Sequence, residues 1–411
     1  MKNTIKAYSY EELVALLKDL NHPKFRADQL VQWLYKQGEH KYQNMTNLPQ
    51  MLRDILEEQF PIGAPSILNQ QTSFDRTRKY VLSYQDGAQC ETVAIPSFSS
   101  TSAPVKQNTG QHPHAPAPKS SKDLSARSHQ ISLNTPFSAE TLNNHYADKN
   151  TSTSDINNNE RPLDSSEKTS WDKRLTVCVS TQVGCAMKCS FCATGKEGFT
   201  RNLLPGEIVD QALVAQKDMN MRVSNVVTMG QGEPFLNYNN TLAALRFINS
   251  PKGMAIGARH ITISTCGITK GIQRLSEEPE QFTLAVSLHS AEQKVRDILM
   301  PRVANEPLVK LKNSLLDYTK RTNRRISLEY IMIKGVTDTP KALKALLAFC
   351  ENLLCHVNLL PINTVAGSNY TPSSSTAPWQ EKLEQAHIPV STRNSRGSDI
   401  SGACGQLKNS L

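Results

Sequence analysis

The chain has 411 residues, 38% of them hydrophobic, nine cysteines and a formal net charge of +9. Its first residues, MKNTIKAYSY, hold no apolar signal core, and no apolar run reaches the length of a membrane span. This excludes an exported, disulfide-stapled domain and a transmembrane protein, and reads as cytoplasmic, where clustered cysteines bind metal or react. The charge is uneven: residues 1–96 carry 11 Lys+Arg against 11 Asp+Glu, 97–170 carry 7 against 7, and 171–411 carry 28 against 19. A basic last segment points to a polyanionic partner or to a generally solubilising surface, and charge alone does not separate these.

Residues 1–96 read as a helical accessory unit. SYEELVALLKDL opens on Ser9, a candidate N-cap, and repeats Leu at helical spacing. RADQLVQWLYKQ and PQMLRDILEEQF repeat the pattern, and a short β segment follows in TRKYVLSYQDGAQCETVAIP, with Asp86-Gly87 as its turn. Residues 97–170 then turn to Ser, Thr, Asn, Pro and His, a composition too polar to offset ordering entropy, and read as a disordered insert. Its His112 and His114 read as solvated.

From 171 to 411, β-branched runs alternate with helical stretches. The strand candidates are TVCVST, SNVVTM, HITIST, FTLAVSLH, RISLEYIMI, VNLLPIN and a short PVSTR. That alternation predicts an α/β fold, a full or partial TIM-type barrel of parallel strands, with chemistry at the strands' C-terminal ends. Those ends carry GQGEP, STCG, SLH and PIN.

Four cysteines fall within CVSTQVGCAMKCSFC, three of them, Cys185, Cys189 and Cys192, as C-x3-C-x2-C. Structural zinc wants four tetrahedral ligands, usually as two separated pairs. Three thiolates without a nearby histidine instead suit a 4Fe-4S cluster with one iron left open for a small molecule.

C-x3-C-x2-C after a first barrel strand resembles the radical S-adenosylmethionine (SAM) enzymes. CVSTQVGCAMKCSFCATGKEGFTRNL, GQGEPFLNYNN, SLH, RGSDISGACGQL and the N-terminal KFRADQLVQWLYKQG together resemble the RNA adenine C2-methyltransferases of the RlmN type, with the Cfr C8-methyltransferases as near relatives. The likeness spans nearly the whole chain outside 97–170. It implies a radical-SAM barrel holding a 4Fe-4S cluster on Cys185, Cys189 and Cys192. It implies SAM, two per turnover, against Gly232, Glu233, Ser264, Ser287, Leu288, His289 and Asn363. Phe191 either stacks near SAM and the cluster or is plain core packing.

The resemblance also implies a reaction. C2 of adenine is electron-poor and offers a sulfonium methyl no nucleophile, so a radical route is needed. Cys404 would take a methyl group from one SAM, and a radical made from a second would draw hydrogen from that methyl. The carbon then joins C2, Glu91 accepts the C2 proton, and Cys178 attacks the Cys404 sulfur, leaving a transient Cys178–Cys404 disulfide. Without the resemblance Glu91 reads as a surface residue and Cys178 as a buried thiol. Cys90, Cys266, Cys350 and Cys355 read as packing residues. The implied partners are 23S rRNA, tRNA and a low-potential electron donor such as flavodoxin or ferredoxin, with no membrane and a monomeric enzyme. KRTNRR (320–325) is either a phosphate contact or a solvated helix end.

The chain departs from the family at three places. The long insert separates Glu91 from Cys178, at a loop-closure cost of about 2 kcal/mol for roughly three doublings of length. Gln231 stands where Met is common, and Cys266 where Ser is common. Two rivals remain: Cfr-like methylation at C8, and a non-catalytic iron–sulfur or zinc RNA-binding protein.

Overall fold

The computed structural model describes residues 4–99 and 172–408. The expected disordered insert lies outside the described residues, except that Ser97–Ser99 continue a strand.

Three helices open the chain: α1 (Tyr10–Asp19), α2 (Phe25–Val31) and α3 (Gln50–Gln59). Ser9 caps α1 in a reciprocal capping box with Glu12. Four antiparallel strands follow, β1 (Ser66–Thr72), β2 (Arg78–Ser83), β3 (Gln89–Ser99) and β4 (Asp172–Cys178). A hairpin of β5 (Gln182–Gly184) and β6 (Phe199–Asn202) then frames α4 (Ala193–Glu197).

Strands and helices alternate from there: α5 (Pro205–Met219), β7 (Val223–Val227), α6 (Tyr238–Asn249), β8 (Ile261–Thr265), α7 (Thr269–Leu275) and β9 (Thr283–Ser287). Then come α8 (Gln293–Leu299), α9 (Leu308–Thr322), β10 (Ile326–Met332), α10 (Pro340–Cys350), β11 (Cys355–Pro361), α11 (Thr376–Gln385) and β12 (Val390–Thr392). One sheet runs β1-β2-β3-β4-β7-β8-β9-β10-β11-β12, parallel from β4 onward. This is the expected partial barrel, its sheet extended by the antiparallel strands. All seven strand candidates of the barrel region are present. β1 and the β5–β6 hairpin were not anticipated.

Strand alternation sorts the side chains. Leu284 and Val286, Leu328 and Tyr330, and Val357 and Leu359 enter the main hydrophobic core. Tyr330 stacks on Trp379 of α11, ring centroids 5.4 Å apart. The intervening positions, Ser287, Glu329, Ile331 and Asn358, face the barrel's inner side. There Ile331 joins a second apolar cluster against Cys185, Cys189 and Phe191.

The helical N-terminus is tied to the barrel by a sealed ion pair. Lys6 Nζ lies 2.5 Å from both carboxylate oxygens of Asp210 on α5, and both side chains are 1% exposed. Burial outweighs even this cation and lifts the Asp210 carboxyl to about 6. Lys6→Met therefore strands a buried charge and is expected to cost about 3–5 kcal/mol in denaturant unfolding. The double variant Lys6→Met/Asp210→Leu should recover most of that loss, and failure to recover it would contradict the charge explanation.

Candidate active site

The three-cysteine loop joins β5 to α4. Gly184 enters it at φ 73°, where an added Cβ would stand 2.1 Å from the Gly198 carbonyl oxygen, so only glycine fits. The loop is clamped by Cys185 N–H to Gly198 O (2.6 Å), Cys192 N–H to Cys189 O (3.1 Å) and Ser190 N–H to Leu299 O (2.9 Å). Cys185, Cys189 and Cys192 are half-buried, unbridged thiols. Met187, Leu299, Ile331 and Ile333 form an apolar wall behind them.

Burial and the neighbouring thiol of Cys192 push Cys185 up to about 11. Burial, Cys192 and Cys185 hold Cys189 well above the usual thiol range. Thiols this close hold one another back from ionising, and bound iron would stabilise their thiolates. Among the described residues no three Cys, His or carboxylate groups converge as the ligands of one ion do. A cluster needs no such convergence, because each thiolate binds its own iron. The residues fit a 4Fe-4S group.

The strip expected to hold SAM lines the strand ends beside this loop. Glu233 is buried; its carboxylate accepts from Thr265 Oγ1 (2.8 Å), Cys266 N–H (2.7 Å) and Phe235 N–H (3.1 Å). Burial raises its pKa. Gly232 adopts φ 99° with no room for a Cβ beside Gln182. Ser287 pairs in register with Glu329, and the Leu288 and His289 N–H groups both donate to Glu329 O at 3.0 Å. His289 takes a positive φ of 56°, meets Phe191 edge-to-face at 4.9 Å, and keeps Nδ1 buried without a protein partner. Burial and Arg296 drive its pKa down to about 3, so its imidazole is neutral. Ser264 lies in β8, its N–H on Thr228 Oγ1. Asn363 instead holds the Cys404 carbonyl through Nδ2 at 3.0 Å.

The segment carrying Cys404 lies across the cysteine loop. Ala193 N–H donates to Gly405 O (2.7 Å), Thr194 Oγ1 to Leu407 O (2.6 Å) and Gln406 Nε2 to Thr364 O (3.0 Å). Cys404 is exposed at the surface of a crowded mouth; the surrounding protein and Cys192 lift its thiol to about 11. Burial and Cys404 lift Cys178 to about 12.

Glu91 joins the same face. Cys178 on β4 opposes Val93 on β3, which places Glu91 two residues further along the same side. The Glu91 carboxylate accepts from the Lys408 N–H at 2.7 Å and pairs with Lys79 Nζ at 3.1 Å. So β3–β4 pairing and the Cys404 segment together bring Glu91, Cys178, Cys404 and the three-cysteine loop to one place.

Comparisons with known proteins give the family. A model of the radical SAM superfamily matches residues 179–347, and a model of the ribosomal RNA large subunit methyltransferase N-terminal domain matches residues 5–62. The chain is 36% identical over 410 residues to the probable dual-specificity RNA methyltransferase RlmN of Microcystis aeruginosa, covering 99% of each. It is 35% identical over 410 residues to the protein of that name from Clostridioides difficile, covering 99% of this chain and 98% of that one. The chain belongs to the RlmN family. The crystal structure of a radical SAM methyltransferase from Sphaerobacter thermophilus superimposes with a TM-score of 0.76 at 32% identity, covering all of both chains. As an RlmN-family member the protein is a radical SAM RNA methyltransferase, using a 4Fe-4S cluster and SAM. Among the described residues no helix is long and apolar enough to cross a membrane.

Arg296 and Glu329 were not picked out from the sequence. Arg296 on α8 is fully buried; Nη2 donates to Cys266 O at 2.6 Å, while Nε and Nη1 have no protein partner. Glu329 is 3% exposed, with one oxygen on Asn358 Nδ2 (2.7 Å) and the other open. Gln231, a departure from the family, accepts the Glu91 N–H on its side-chain oxygen at 3.3 Å. The basic run at 320–325 is partly structural: Arg321 pairs with Glu277, and Arg324 donates to Glu280 O and Phe282 O.

The raised thiols have a measurable consequence. In metal-free protein Cys178 and Cys404 stay protonated at neutral pH, so alkylation by iodoacetamide is expected to be slow at pH 7–8. It should climb only as pH nears 11–12, against about 8.5 for an unperturbed cysteine. The sign follows from raised pKa values: the folded state favours the protonated thiol, and that preference is lost as pH rises through them. Mass mapping of the two peptides tests this; a midpoint below 9 at both sites contradicts it.

Proposed function

We propose that this enzyme methylates C2 of a specific adenine in 23S rRNA, and of the adenine next to the anticodon in tRNA, with Cys404 as methyl carrier. The observation that carries this reading is the docking of the Cys404 segment on both the three-cysteine loop and Glu91. A protein that only bound RNA would have no use for that convergence.

On this reading Cys185, Cys189 and Cys192 hold the cluster, and Gly232, Glu233, Ser264, Ser287, Leu288, His289 and Asn363 line the SAM site. Arg296 adds two open donor nitrogens, Nε and Nη1, suited to a carboxylate. The cluster and SAM supply a carbon radical able to take hydrogen from a methyl group. Cys404 accepts a methyl group by displacement; an approaching sulfonium draws its raised thiol toward the thiolate. Neutral His289 and Phe191 pack edge-to-face beside the loop and keep water out. Once the Cys404-borne carbon is joined to C2, Glu91 takes the C2 proton and Cys178 attacks the Cys404 sulfur; the S–S bond forms as the carbon–sulfur bond breaks, and the released carbon keeps that electron pair and takes up a proton to become the methyl group. An extruded adenine is the substrate geometry this needs.

Residues 1–96 then form the accessory unit, 97–170 an insert outside the chemistry, and 171–411 the catalytic barrel. The enzyme acts as a monomer in the cytoplasm and draws electrons from flavodoxin or ferredoxin. Deleting residues 100–168 is expected to leave methylation intact; loss of methylation with the fold preserved would place the insert in the mechanism. Mass mapping of modified adenine in 23S rRNA and tRNA tests the whole reading. Methyl at C2, lost in Cys404→Ala, is expected, and methyl at C8 would overturn the assignment.

A further inference from the structure

Lys79 lies on β2 directly opposite Val93, and Glu91 on β3 opposite Val81, so the two are diagonal neighbours on one sheet face. Their side chains are 2% and 0% exposed, with Lys79 Nζ 3.1 Å from Glu91 Oε1. Glu91 is gripped from every side by elements of the site. Its N–H donates to Gln231 Oε1, its carbonyl accepts from Ser180 Oγ at 2.6 Å, and its second carboxylate oxygen accepts from the Lys408 N–H. A pair that served only to fill the core would cost more than apolar side chains of the same volume. This one sits on the face that carries Cys178 and touches the Cys404 segment.

We propose that Lys79 is a positioning residue for the proton-accepting step: its ammonium holds the Glu91 carboxylate on the face shared with Cys178 and Cys404. The inference rests on the reading of Glu91 as proton acceptor. In that step the adduct's C2–H bond breaks and the proton passes to a Glu91 oxygen; the bond's electron pair restores the aromatic ring, and the unpaired electron left by radical addition would go back to the iron–sulfur cluster. Lys79 makes no contact with the adenine and acts only through Glu91. The other titratable or charged groups around Glu91 are Glu197 from α4, Lys408 from the Cys404 segment, and the neighbouring Cys90 thiol. Lys79 is thus the buried cation that faces the Glu91 carboxylate. Without it, that carboxylate loses the charged partner that holds it in place.

The test uses full-length, cluster-loaded protein with Cys178 intact, an RNA substrate, and the variants Lys79→Gln, Lys79→Arg and Glu91→Gln. Three readouts are taken: methylation of Cys404 by mass spectrometry, covalent protein–RNA adduct, and product formation. Lys79→Gln is expected to methylate Cys404 normally and accumulate adduct. Its product formation should fall by about 100-fold. Lys79→Arg should restore the parent rate. If Glu91→Gln is impaired while Lys79→Gln keeps the parent rate, the Lys79 inference fails alone. A Lys79→Gln protein that no longer methylates Cys404 shows a structural role and also overturns it. If Glu91→Gln turns over like the parent, the proton-acceptor reading fails, and the positioning role with it.

Discussion

Cys178→Ala protein expressed in cells is expected to emerge covalently joined to RNA. Cys178 shares a face with Glu91 through the β3–β4 register, and its thiol and that of Cys404 repel when ionised. On the proposed mechanism it attacks the Cys404 sulfur once carbon has been transferred. Without it, the methylene carbon stays bridged between Cys404 and the base. Turnover should fall by more than about 1,000-fold, because a nucleophile required in every cycle has no substitute. Digestion to nucleosides should leave an adenosine mass on the Cys404 peptide. The double variant Cys178→Ala/Cys404→Ala should carry none. An adduct that persists in the double variant contradicts Cys404 as the carrier; no adduct in the single variant contradicts Cys178 as the resolving thiol.

Cys189→Ala should remove the redox centre altogether. Cys189 packs against the apolar cluster that includes Met187, Leu299 and Ile333. Two remaining thiolates do not hold a four-iron cluster, so iron should fall from about four per chain to near zero. SAM cleavage and RNA methylation should both vanish. The main core lies apart from this loop, so denaturant unfolding should change by less than about 1 kcal/mol relative to metal-free parent protein. Retention of a full iron complement would rule out the three-cysteine ligand set.

The barrel was legible because its strands are runs of β-branched residues with turn and helix signals between them. Ser9 and the Leu repeat announced α1; that Glu12 completes a capping box showed only in the fold. β1 was not legible: SILNQQT is polar, nearly all exposed, and its pairing with β2 is set by the tertiary partner rather than by alternation. The three-cysteine loop was legible because cluster chemistry demands a fixed local spacing. Lys79, Arg296 and Glu329 were not, because what marks them is burial with a missing or single partner, a property of the folded chain. Gln231 was noted only as a departure. Its contact with the Glu91 N–H exists because the loop after β7 returns beside β3.

Electron paramagnetic resonance of protein reconstituted without oxygen and then reduced, with and without SAM, addresses the open iron itself. A brown protein with about four irons, whose cubane signal changes when SAM is added, is expected of a cluster on Cys185, Cys189 and Cys192 with one iron free for the cosubstrate. Stoichiometric zinc, or a signal that SAM leaves untouched, would contradict it.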